Sequence, residues 1–165
     1  TLGGIQTGAG STVSGCTVEG NAAGGIKVSS DCRVTGSQAS ANTGIGIQTG
    51  AGSTVSGCTA QGNSGDGIQV SAECRVVGNQ CHRNTSLLFS SGIRATGTKN
   101  HISDNNTTSN DRGISADAAG NWITRNTAGN NSIEYSYVPG QIIGPVLTSL
   151  DNPDTSKEPW ANFDF

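Results

Sequence analysis

Few side chains in this sequence are equipped for chemistry, and most sit in one repeated setting. Asp31 stands two residues before Arg33, and Glu73 stands two before Arg75, 42 residues later. A glycoside hydrolase needs two carboxyl groups roughly 5–9.5 Å apart, one acting as acid and the other as base or nucleophile. Asp31 and Glu73, with Arg33 and Arg75 as cationic neighbours, are therefore the catalytic candidates. A duplication would leave the same recurrence with no chemistry attached. Arg75, His101 and Trp122 form a second set: guanidinium and imidazole donate to hydroxyls, and an indole offers a flat apolar face on which a sugar ring can stack. These three are the carbohydrate-binding candidates.

Other chemistry finds less support. Five cysteines occur without a Cys-x-x-Cys spacing, and the two histidines, His82 and His101, are not spaced as ligands. No metal site or cofactor is expected. Asp104, Asp111 and Asp117 form neither an adjacent acidic pair nor the carboxylate cluster that a calcium-dependent lyase needs. A net charge of −3 gives no basic stripe for nucleic acid, and no apolar run reaches membrane-spanning length. Thr-rich snippets approach a flat ice-binding pattern, but Arg33 and Arg75 interrupt every second one.

The elements that position these residues are legible as a repeat. GIQTGAGSTVSGCT, at 4–17, recurs unchanged at 46–59, and a variant fills the space between, so the step is about 21 residues. One apolar column reads Ile5, Ile26, Ile47, Ile68, Ile93, Ile114, and a second reads Val13, Val34, Val55, Val76, Ile102, Ile123. The apolar residues lie in short alternating snippets, which is strand periodicity, and glycine-rich joints separate three snippets per unit. The spacing predicts an all-β, right-handed, single-stranded parallel β-helix of about 6–7 rungs, with three short parallel sheets. A column of Asn21, Asn42, Asn63, Asn84, Asn110 and Asn131 has a mechanism in such a coil. Each amide donates to the amide one rung along, forming an asparagine ladder at a tight turn. The cysteines fall as Cys16 and Cys58 in one column, Cys32 and Cys74 in another, and Cys81 in an inward one; paired columns two rungs apart are beyond disulfide reach.

The pattern G-I-x-V, I-x-x-N, N and again G-I resembles the repeats of the pectin-lyase-like superfamily. The segment SNDRGISADAAGNWITRNTAGN (109–130) and the aromatic ending ANFDF (161–165) resemble uncharacterised secreted bacterial β-helix proteins. The resemblance implies a secreted or cell-surface protein. Since the chain opens inside the repeat, its natural N-terminus is expected to lie upstream. Within the superfamily, enzymes work on the outer face of one sheet, so the outward line Thr12, Arg33, Thr54, Arg75, His101, Trp122 is the face of interest.

Residues 1–145 read as the solenoid and 146–165 as an extension that caps or packs on the helix or on a partner subunit. The 21-residue step breaks at four extra residues around Leu87, Leu88 and Phe89, and insertions in solenoids become flank loops that often bind. With Trp160, Phe163 and Phe165 of the tail, these are the candidate contacts for a partner or a homo-oligomer. The expected function is a non-catalytic scaffold that binds polysaccharide and self-associates. The competing expectation is a polysaccharide lyase or glycoside hydrolase fragment.

Overall fold

The computed structural model describes residues 3–85, 89–148 and 158–165. All regular elements among them are strands, gathered into three parallel sheets that coil with the expected spacing of about 21 residues. The first sheet runs from Ile5–Thr7 through Ile26–Val28, Ile47–Thr49, Ile68–Val70, Ser91–Ala95 and Arg112–Ala116 to Ile133–Tyr137. The second runs from Thr12–Ser14 to Ile142–Ile143, and the third begins at Thr17–Glu19. Through the first six rungs every strand pairs with its equivalent one rung away, so like residues stack: Ile47 is flanked by Ile26 and Ile68, and Val55 by Val34 and Val76. The chain is a right-handed parallel β-helix.

Three-residue strands work here because one inward side chain alternates with outward neighbours. Thr12–Ser14 has only Val13 buried, and Arg75–Val77 has only Val76 fully buried. In the first sheet the inner three-residue strands carry two inward side chains: Ile68 and Val70 are both fully enclosed. With so few apolar side chains per rung, the corners must satisfy their own polar groups.

Each corner solves this with two consecutive residues. One takes the left-handed backbone, and the next turns inward and hydrogen-bonds along the stack. At the third corner the left-handed residues include Ala41, Gly62, Arg83, Ser109 and Asn130, each followed by a ladder asparagine. Asn42 Nδ2 donates to Asn63 Oδ1 at 2.9 Å, and Asn63 Nδ2 donates to Asn84 Oδ1 at 2.9 Å. The same oxygens accept the backbone N–H groups of Asn42 and Asn63, while the second amide proton goes to the carbonyls of Val18 and Ala39. Every polar atom of a buried asparagine is thereby used. The ladder expected from the sequence is present.

Two further ladders were not expected as such. At the second corner, Cys58 N–H donates to Asn79 Oδ1, Asn79 to Asn105 and Asn105 to Asn126, with Cys16 N–H donating to Ser37 Oγ earlier in the column. At the first corner, Ser11 N–H meets Cys32 Sγ at 3.3 Å, Cys32 N–H meets Ser53 Oγ, and Asn100, Asn121 and Gln141 continue the column. Cys16, Cys32, Cys58 and Cys74 are thus corner residues whose thiols stand in for serine hydroxyls; Cys81 lies in the inward line of the third sheet. All five are unpaired.

The regular step widens once. Ile68 pairs with Ile93, 25 residues on, and Arg75 with His101, 26 on. Four of the added residues fall at the break seen in the sequence, and one lengthens the first corner. At the other end of the coil, Tyr135 and Ile143 close the core, as partly buried side chains packed against it.

The last rung then departs from simple stacking. In the third sheet Val146–Thr148 does not pair with Thr127–Gly129. The strand Asn162–Asp164 enters between them, parallel to both. The tail is therefore a strand inside the solenoid, and Asn162 takes the next place in the second-corner ladder by accepting from Asn126 N–H and Nδ2 at 3.0 Å.

Candidate functional site

Strand register on the second sheet places Thr12, Arg33, Thr54, Arg75, His101, Trp122 and Ile142 in one outward line. The expected binding residues Arg75, His101 and Trp122 thus occupy consecutive rungs, held by the buried Val76, Ile102 and Ile123 beside them. His101 meets Trp122 edge to face, with ring centroids 6.0 Å apart. Burial, reinforced by the positive charges of Arg75 and Arg125 and opposed by Asp104, lowers the His101 pKa from its ordinary value. The shift favours the neutral imidazole, which can both donate and accept.

The inserted tail changes this face. Trp160 lies across from Trp122, and the two indoles border a cleft of about 400 Å³ whose lining includes His101, Arg125, Ile142 and Pro145. Trp122 is 52% exposed and Trp160 58%, so both present ring surface to solvent. The Arg125 guanidinium sits 5.7 Å from the centre of the Trp160 ring. Its Nε and Nη2 donate to the two carboxylate oxygens of Asp104 at 2.7 and 2.9 Å. That fork orients Arg125, although an exposed pair adds little stability. The cleft is a mainly hydrocarbon slot with hydrogen-bonding groups at its rim, which suits the apolar face of a pyranose.

The catalytic candidates are arranged differently. Asp31 and Glu73 both take the left-handed backbone at the first corner, with Gly52 on the rung between them. Two rungs correspond to about 9.6 Å. Glu73 is paired with Lys99 at 3.2 Å and not with Arg75, and both partners are well exposed. Arg33 and Arg75 project from the neighbouring sheet and form no ion pair among the described residues.

A carboxylate network that the sequence did not single out lies on the outer face of the first sheet. Asp66 is buried and accepts Ser91 N–H at 2.7 Å and Gln69 Nε2 at 3.2 Å; Arg94 reaches Asp66 at 3.8 Å and Asp117 at 2.8 Å. Burial raises the Asp66 pKa, while the Ser91 amide, Arg94 and Gln69 oppose the shift. The signal was available: Asp66 is the one carboxylate in a column that runs Gly3, Gly24, Ile45, Asp66, Ser91, Arg112 and Ile133.

Of the contact candidates, Leu87 and Leu88 lie outside the described residues. Phe89 is exposed, with the Arg112 guanidinium 5.3 Å from its ring centre. Phe163 and Phe165 stack on the outside of the third sheet, centroids 5.8 Å apart, whereas Trp160 belongs to the cleft.

Among known families, residues 3–136 match the one described as a right-handed beta helix region. No curated protein and no solved structure matches the chain.

Proposed function

Because the chain belongs to the right-handed β-helix family, we propose that it is a non-catalytic, secreted or cell-surface scaffold that binds carbohydrate in the cleft between Trp122 and Trp160. One observation carries this reading: two half-exposed indoles, from the repeat and from the tail, border one apolar cleft with His101 and Arg125 in its lining. Arg75, one rung from His101, extends the site along the sheet. A glycan array with the intact protein should retain pyranose-containing oligosaccharides. Each of Trp122→Ala and Trp160→Ala should weaken that retention about tenfold or more, the scale of about 1.4 kcal/mol for a lost stacking face.

Hydrolysis is the second reading. It is supported by Asp66, a buried carboxyl of raised pKa, which shares Arg94 with the more exposed Asp117. This environment suits an acid and base better than the exposed Asp31 and Glu73 do. The Arg94 guanidinium nevertheless stands where a substrate bond would have to lie, so we assign this network to holding the widened rung. Reducing-sugar release that disappears in Asp117→Asn or Asp66→Asn would reverse that assignment.

A further inference from the structure

We propose that the tail is a latch that builds the cleft, and that Asn162, buried and absent from the cleft lining, is the residue that seats it. The importance of the cleft to a ligand rests on the carbohydrate reading above; the latch itself does not.

The starting point is a choice the chain makes at its last rung. In the first and second sheets the seventh strand pairs directly with the sixth. The same rule would lay Val146–Thr148 directly on Thr127–Gly129. Instead Asn162–Asp164 occupies that layer and Val146–Thr148 is displaced to the next. The chain thus has two ways to finish its third sheet, with the tail in or with the tail out.

Hydrogen bonding decides between them. With the tail in, Phe163 N–H donates to Asn126 O at 2.7 Å, Phe165 N–H to Ala128 O at 3.1 Å and Asn162 N–H to Pro145 O at 2.7 Å. Asn162 Nδ2 also donates to the carbonyls of Ile123 and Gly144, while its oxygen serves Asn126. The Tyr135 hydroxyl lies 3.0 Å from the carbonyls of both Asn126 and Phe163, sealing the layer from inside. With the tail out, Val146 would occupy the ladder place, and its side chain can neither donate nor accept. The Asn126 donors would lose their acceptor in a buried setting.

The cleft depends on the same choice. Trp160 stands two residues before Asn162, its carbonyl accepting Arg125 N–H at 3.3 Å. Gly144, also in the lining, lies so close to the Trp160 carbonyl that no side chain fits there. Withdrawing the tail removes Trp160 from the cleft and frees the Gly144–Pro145 wall that packs against it. Filling the cleft and seating the tail are therefore one linked equilibrium, each favouring the other.

Amide hydrogen exchange on the full chain, without ligand, tests the latch. Asn162→Ala should speed exchange at Phe163, Phe165 and Asn130 roughly tenfold to a hundredfold, the scale of a lost buried acceptor. Exchange at Ile47 and Ile68 should stay as in the wild type. Asn162→Ser should restore most of the protection, since Ser37 fills the same column. In a Trp122→Phe background, acrylamide should quench Trp160 more readily once Asn162→Ala is added. Unchanged tail exchange, a loss of protection spread equally to Ile47 and Ile68, or unaltered Trp160 quenching would each overturn the proposal. Failure of the carbohydrate reading would show on the glycan array and leave these results untouched.

Discussion

At the scale of single residues, the ladders explain how so polar a sequence encloses a core. Only 32% of its residues are hydrophobic, and the buried asparagines are tolerated because their amides are partnered along the stack. Asn63→Ala would leave the Asn42 amide and N–H without an acceptor and take the side-chain donor from the Ala39 carbonyl. It should cost about 3 kcal/mol or more in denaturant unfolding. Cys32→Ser and Cys58→Ser should be nearly neutral in the same measurement, because Ser53 and Ser37 already do this work in their columns. His101 gives a pH signature. Its folded pKa lies below the ordinary 6.5, so the fold favours the neutral ring. The associated stability is present above pH 6.5 and is lost as pH falls through the folded value. The thermal midpoint should drop between pH 7 and pH 5 by less in His101→Gln than in the wild type, the difference isolating the imidazole from Asp66 and other acids.

At the scale of elements, strand and corner were not equally legible. The strand columns could be read because Ile and Val repeat as letters, and the third-corner ladder because it is asparagine throughout. The first-corner ladder passed unread because it mixes Ser, Cys, Asn and Gln; the backbone asks only for a short side chain that can accept. Left-handed corner residues were equally hidden where Asp31, Glu73, Lys99, Asp104 and Arg125 replace glycine. Two glycines separate the reasons for that residue. A Cβ on Gly46 would meet Asn63 Nδ2 and Gly67 O at 2.6 Å, while one on Gly57, at φ 60°, would meet nothing. Gly57→Ala should therefore cost only about 1 kcal/mol of backbone strain, and Gly46→Ala considerably more, as comparison of their unfolding midpoints should show.

At the scale of the molecule, a repeat predicts stacking but not what happens where stacking ends. The columns of the sequence foretold the coil, its sheets and the shared face of Arg75, His101 and Trp122. They gave no means of placing the tail, because Asn162–Asp164 enters the third sheet out of chain order and carries no periodic signal. Trp160 consequently read as a contact residue and the cleft it forms could not be foreseen. The stacked Phe163 and Phe165 remain on the outer side of the third sheet, the surface we propose for self-association. Light scattering should show a multimer that Phe165→Asp dissociates, and a monomer at high concentration would remove that part of the account.

The most direct test of the central claim is glycan binding by the intact protein, measured beside Trp122→Ala and Trp160→Ala with product release followed in the same samples. Saturable binding without turnover, weakened about tenfold or more by either substitution, is the predicted result. Binding unaffected by both substitutions, or turnover of the bound sugar, would contradict it.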